Sequence, residues 1–207
     1  MTPSQLRLIL VDPDERLCDA WRQAFGSHPS VTVVHGRFQA LDEFDCMVSA
    51  ANSFGLMDGG VDLAIARFFG DALVDRVQSH ILREYFGEQP VGTSFIAETG
   101  HPAHPYLAYT PTMRVPMSIG TTDYAYLAMW AMLRAVDHHN RSSSMPPIRT
   151  IACPGLGTGA GELPAGEAAR QMEIAYRWFV QPISGIDWPT AEGRQAVIGR
   201  GGDLLAR

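Results

Sequence analysis

Met47-Val48-Ser49-Ala50-Ala51-Asn52-Ser53-Phe54-Gly55-Leu56-Met57-Asp58-Gly59-Gly60-Val61-Asp62 passes from an apolar segment through small polar residues and a glycine pair into a helical pattern. Cys46-Met47-Val48 reads as a buried strand, and Val61 to Phe69 carries apolar residues at helical spacing. Between them, glycines allow backbone N–H groups to approach an anion closely. The helix starting near Val61 adds unpaired donors and the positive end of its dipole. Taken singly, each feature also has an ordinary structural role. Asp62 in a first helical turn can serve as a capping carboxylate, and Gly59-Gly60 can form a tight turn.

A second stretch repeats the arrangement. Pro154-Gly155-Leu156-Gly157-Thr158-Gly159-Ala160-Gly161 places four glycines at alternate positions after the apolar run Ile148 to Cys153 and before the helical pattern Ala165 to Val180. Two anion cradles in one chain point to a diphosphate. The lysine of a P-loop is missing, and Gly55 to Gly60 does not fit the dinucleotide fingerprint.

Outward from these loops, strands and helices alternate. Leu6 to Val11 is strand-like and ends at Asp12-Pro13-Asp14, after which Leu17, Ala20, Trp21, Ala24 and Phe25 recur at helical spacing. Val31 to Val34 is a short β-branched strand. After Gly70 a second helix places Leu73, Val74, Val77, Ile81, Leu82 and Tyr85 on one face. Thr93 to Ala97 and Tyr106 to Thr110 are strand-like around a turn holding His101 and His104, and a helix runs from about Asp123 to His138. His138-His139 are expected to meet that helix's terminal carbonyls. The alternation predicts an α/β fold with a largely parallel or mixed sheet covered on both faces, with ligands beyond the carboxyl ends of the strands.

The stretch Val48-Ser49-Ala50-Ala51-Asn52-Ser53, then Gly59-Gly60-Val61-Asp62 and Ala64-Ile65, resembles the signature of the macro domain family, and the second loop matches that family's other phosphate loop in order and distance. The resemblance covers roughly residues 30 to 181. It implies a three-layer α-β-α sandwich with a mixed central sheet and a site for ADP-ribose. By the same resemblance Asn52 and Asp62 are the candidate catalytic pair, near the distal ribose. Ser49, Phe54, Gly59, Gly60, Val61, Gly155, Leu156, Gly157, Thr158, Gly159, Ala160 and Gly161 are the candidate ligand-binding residues. Thr110 to Pro116 resembles a segment of macro-domain-like proteins of bacteria and phages. Three positions depart from the family pattern. Ser49 replaces the first asparagine of the Asn-Ala-Ala-Asn step, Gly36-Arg37 stands where many members carry Gly-Asp against the adenine amino group, and Asp58 replaces a glycine in the first loop.

The expected function is binding of ADP-ribose or a derivative, with hydrolysis at the distal ribose that removes ADP-ribose from protein or small-molecule conjugates. The alternative is a non-catalytic ADP-ribose or nucleotide-binding module. A third reading, a phosphoacceptor pocket built on Asp12 and Asp14, lacks recognisable later aspartate and lysine positions. No cofactor and no metal is expected.

Composition bounds these readings. A chain of 207 residues with 46% apolar and 18% charged residues fits one domain with a sizeable core. The expected organisation is a single domain over 1–207, with 1–29 as an N-terminal strand-helix addition and 182–207 as a C-terminal tail of unknown structure, in which Gly185, Gly193, Gly199, Gly201 and Gly202 leave little periodicity. A net charge of −6 gives no general attraction to nucleic acid or anionic membrane, so a phosphorylated ligand has to be held by local geometry. Cys18, Cys46 and Cys153 each lie in or beside an apolar run and read as buried free thiols of a reducing compartment. With neither a signal-peptide pattern nor an apolar stretch near the roughly 20 residues that span a bilayer, the expected location is the cytoplasm.

Overall fold

Residues 6–202 are described by a computed structural model, and the outermost five residues at each end of the single-domain assignment lie outside the described residues. The elements in order are β1 (Arg7–Asp12), α1 (Glu15–Phe25), β2 (Val31–His35), β3 (Cys46–Asn52), α2 (Gly60–Phe69), α3 (Asp71–Glu84), β4 (Phe95–Glu98), β5 (Tyr106–Met113), α4 (Tyr124–Ser142), β6 (Thr150–Cys153), α5 (Ala165–Val180) and α6 (Trp188–Ile198).

The strands themselves show why the sheet lies in the middle. In β1, Leu8 and Leu10 enter one buried cluster while Ile9 and Val11 enter another. The same split divides Cys46 and Val48 from Met47 and Ala51 in β3, and Tyr106 and Ala108 from Leu107 and Tyr109 in β5. Apolar residues on both sides of a period-2 pattern require cover on both faces. Residues of α1, α4 and α5 close the first cluster and residues of α2 and α3 close the second, giving three layers.

Six strands run in the order β2-β1-β6-β3-β5-β4, parallel throughout except for β4, which pairs antiparallel with β5 at the edge. The sheet is therefore mixed, and β1 lies inside it between β2 and β6.

Several boundaries differ from the sequence reading, each for a local reason. β3 continues past Val48 to Asn52 because the long strand β5 supplies partners such as Tyr109 for Ser49 and Thr110 for Ala50. β4 starts at Phe95, since Thr93 is drawn into a turn in which its hydroxyl donates to the Pro90 carbonyl at 2.7 Å. β6 starts at Thr150 because Asn140 takes the Ile148 N–H at 2.7 Å and Asp45 takes those of Arg149 and Thr150. Leu82 leaves the apolar face of α3 and is 68% exposed, as a residue one position beyond the buried Ile81 is rotated about 100° around the helix. The His139 ring reaches past the end of α4 to the Pro146 carbonyl at 3.2 Å instead of the helix's own carbonyls.

Cys18, Cys46 and Cys153 are free and buried. No helix among the described residues is long and apolar enough to cross a membrane.

The segment after Val180 holds a helix that one carboxylate caps and another anchors to α5. Asp187 caps α6 by accepting the Thr190 N–H at 2.8 Å, with a proline in the first turn. Glu167 on α5 accepts from Arg170, Gln171 and Arg200 at 2.7–2.8 Å, while Arg170 donates to the carbonyls of Val197 and Ile198. Arg200 also donates to the Gly120 carbonyl at 2.7 Å. The Arg170 hydrogen bond, with help from Gln171 and Arg200, holds the Glu167 carboxyl down from 4.5 to about 2. A depressed carboxylate stabilises above its unfolded pKa and loses that contribution as pH falls through its folded one. Glu167→Gln is therefore expected to speed amide exchange in α6 and leave the central strands unchanged. The wild-type chain should lose the same protection between pH 4.5 and about 2. Equal exchange in α6 of the two proteins at neutral pH would show that the carboxylate does not dock the tail.

Candidate functional site

The carboxyl ends of β1, β3 and β6 open on a cleft of about 520 Å³ that receives both glycine loops. Gly59, Gly60, Val61 and Asp62 line it from the first loop and the start of α2, and Gly155, Gly157, Thr158, Gly159 and Ala160 line it from the second. Asn52 at the end of β3 lines it too. Ser49, Phe54, Leu156 and Gly161 are not among its lining residues. Ser49 and Leu156 are fully buried, and the Phe54 ring instead carries the Arg114 guanidinium 5.9 Å from its centroid. Gly161 underlies the second loop, accepting the Ile119 N–H at 2.9 Å.

The second loop is shaped by what surrounds it. Gly157 has φ +76°, a conformation that disfavours side chains, and a Cβ there would fall 2.5 Å from Ile119. At Gly155 a Cβ would fall 2.6 Å from Leu17, and the N–H donates to Asp12 Oδ2 at 3.2 Å. The other oxygen of Asp12 accepts the Asp14 N–H at 2.9 Å, so this one side chain ties the loop to the entrance of α1. Gly159 differs from both: a Cβ there would meet nothing within 4 Å.

The first loop is held by Asn52. Its Oδ1 accepts the N–H groups of Phe54 at 2.9 Å and Leu56 at 3.3 Å, and its Nδ2 donates to the Leu56 carbonyl at 2.7 Å. An asparagine that bonds its own following backbone forms a turn, so the amide braces the loop it precedes. Beyond it, α2 begins at Gly60 with its first N–H groups at the cleft, as an anion-binding helix entrance requires.

Asp62 combines burial with access to the cleft. It is 6% exposed and accepts the Ser49 hydroxyl at 2.6 Å. Burial, only partly offset by the Ser49 hydrogen bond and reinforced by Asp58, pushes its carboxyl up from 3.8 to about 6. Tyr109 is raised as well, by burial and then by Asp62, and its hydroxyl donates to the Asn52 carbonyl at 2.9 Å.

Sequence reasoning missed part of the lining. Asp12 ends β1 and Pro13 and Asp14 follow it, read from the sequence only as a phosphoacceptor pocket, while Thr112, Met113 and Pro116 come from the end of β5 and the turn after it. The position of Asp12 at the carboxyl end of a strand was the available signal for its place here. Arg37 is the single cation among the lining residues, against the carboxylates of Asp12, Asp14, Asp58 and Asp62. No group of three or more His, Cys, Asp or Glu among the described residues is arranged to hold a metal ion.

The raised carboxyl makes a testable demand on stability. A carboxyl that binds its proton more tightly in the folded chain costs stability as pH rises from 3.8 to about 6, and the cost persists above that window. Asp62→Asn should match the wild type near pH 4 and exceed it by about 2 kcal/mol near pH 8 in urea unfolding. A difference between the two proteins that does not change with pH would remove the ionised, buried Asp62 from the account.

Comparison with known proteins gives four consistent findings. The Macro domain family model matches residues 48–172. An uncharacterized protein of Aquifex aeolicus is 31% identical over 151 residues, covering 72% of this chain and 82% of the relative. Among solved structures, a mutant Oceanobacillus iheyensis macrodomain with ADPR is similar at TM-score 0.60 and 18% identity, covering 96% of this chain and 93% of that one. The Trypanosoma brucei macrodomain in complex with ADP-ribose is similar at TM-score 0.50 and 22% identity, covering 69% of this chain and 54% of that one. At these identities the structural likeness is one of fold.

Proposed function

The chain belongs to the macro domain family, and from that premise we propose that it binds ADP-ribose or an ADP-ribose derivative in this cleft and hydrolyses the bond at the distal ribose. The convergence of both glycine loops on one cleft carries the reading. A diphosphate between them would receive backbone N–H groups from Gly59 to Val61 and from Gly157 to Ala160, with the entrance of α2 adding its dipole. Donors fixed in the backbone need no reorganisation when the ligand arrives, which suits a chain whose net charge of −6 offers no long-range attraction. Solved relatives of the same fold with ADPR and with ADP-ribose support this choice of ligand.

In the hydrolytic step the diphosphate anchors the substrate, and Asp62 and Asn52 orient the distal ribose and a water. The water oxygen bonds to the ribose carbon as the attached group departs with its electron pair, and one proton of the water passes to the departing group. The gain comes from proximity and preorganised charge. One observation favours the non-catalytic alternative: the Asn52 amide already makes three hydrogen bonds within its own loop, which leaves a single N–H for a substrate. Incubation with ADP-ribosylated protein, O-acetyl-ADP-ribose and ADP-ribose 1″-phosphate, beside calorimetric titration of ADP-ribose, separates turnover from binding.

Two sets of variants test the parts. Gly159→Val places a branched side chain in the open space of the cleft and is expected to weaken ADP-ribose binding by about tenfold or more, with an unchanged circular dichroism spectrum. Undiminished affinity in the folded variant would remove the second loop from the site. Asn52→Ala and Asp62→Ala are each expected to lower turnover by at least about tenfold, equivalent to ~1.4 kcal/mol of transition-state stabilisation. Should both folded variants turn over at the wild-type rate, the assignment of this pair fails.

A further inference from the structure

Ser49 is buried and does not line the cleft, unlike the Asp62 carboxylate it touches. It lies on β3 with the parity of Met47 and Ala51, so its side chain faces the layer of α2 and α3. The residue is fully buried, and its hydroxyl donates to Asp62 Oδ1 at 2.6 Å. Among the described residues this is the only hydrogen bond made to the Asp62 side chain, and Asp62 itself lines the cleft. The second carboxylate oxygen is thus available to a ligand while the first is held from behind.

We propose that Ser49 is a positioning residue whose hydroxyl, from a place no ligand reaches, holds Asp62 as an ionised acceptor facing the cleft, so that ligand affinity at neutral pH depends on this hydroxyl. The proposal rests on the reading of the cleft as an ADP-ribose site, in which a hydroxyl of the distal ribose donates to Asp62.

The electrostatic surroundings explain why one hydroxyl carries this weight. Burial disfavours the charged carboxylate, and Asp58 from the loop before α2 adds repulsion. From β5 the neighbouring titratable group is Tyr109, whose hydroxyl is directed to the Asn52 carbonyl and offers Asp62 no hydrogen bond. The groups that act on the Asp62 carboxyl are burial, the Ser49 hydroxyl and Asp58, and Arg37 is the one cation among the residues lining the cleft. A hydrogen bond to a charged acceptor is stronger than one to its neutral form, so the Ser49 hydroxyl favours ionisation.

The test is calorimetric titration of ADP-ribose into wild type, Ser49→Ala and Ser49→Thr from about pH 5 to about pH 8.5, with a carbon-13 NMR titration of the Asp62 carboxyl in the free proteins. Wild-type affinity is expected to fall as pH drops through about 6. In Ser49→Ala the midpoint of both titrations should move up by about one pH unit, which lowers affinity about twofold at pH 7 and about fivefold near pH 6, and restores it at the alkaline end. Ser49→Thr, which keeps the hydroxyl, should follow the wild type. A merely structural role would weaken binding equally at every pH and leave the carboxyl midpoint unmoved, and that result overturns the proposal. So do superimposable profiles of wild type and Ser49→Ala. If wild type fails to bind ADP-ribose at every pH, the ligand reading falls, while the carboxyl titration still decides whether Ser49 sets the ionisation of Asp62.

Discussion

A sheet covered by apolar helices on both faces has no polar surface except at its strand ends, and that constraint organises this molecule. The central strands β1, β3, β5 and β6 send alternate side chains into two separate cores. Polar groups along their length have to be satisfied inside the sheet, so the loops at the carboxyl ends are where unpaired donors meet water and ligands. Both glycine loops begin at such ends, and the cleft between them follows from parallel pairing of the strands that lead into them.

The same cores shape the loops they support. Leu17 of α1 and Ile119 before α4 stand where side chains on Gly155 and Gly157 would have to go, so the second loop lies against packed apolar surface. Side-chain braces complete the arrangement, Asp12 for the second loop and Asn52 for the first. Rigid support allows backbone donors to be aimed without side-chain entropy to lose on binding.

Charge in the cleft works against anion binding except through the backbone. Four carboxylates line it with one arginine, in a chain that is acidic overall. Two of those carboxylates are engaged with neighbouring backbone N–H groups, Asp12 with Asp14 and Gly155, and Asp14 with Arg16 as the cap of α1. Asp62 is different in being buried, cleft-lining and held by a hydroxyl from the sheet, and burial raises its carboxyl.

The order of strands and helices up to α5 was legible in the sequence, and so was the pairing of Gly59-Gly60 with Gly155 to Gly161 as two loops of one kind. Apolar periodicity and glycine placement are local properties and need no knowledge of distant contacts. The helix α5 from Ala165 to Val180 was read to its last residue for that reason. What lay beyond the sequence depended on long-range contacts. Asp12 reaches the backbone of Gly155 across 143 positions. Ser49 read as part of the loop, but pairing with Tyr109 extends β3 over it and its hydroxyl is buried against Asp62. Gly185, Gly193, Gly199, Gly201 and Gly202 hid the helix α6, whose docking requires Arg200, beyond its end, and its last carbonyls to meet Glu167 and Arg170 of α5. The sequence by itself determined which segments could form strands, helices and anion-binding loops, because those depend on neighbours along the chain. Only the tertiary structure decided which polar side chains face the cleft and which are spent in holding it, because strand register and helix packing set where each side chain points.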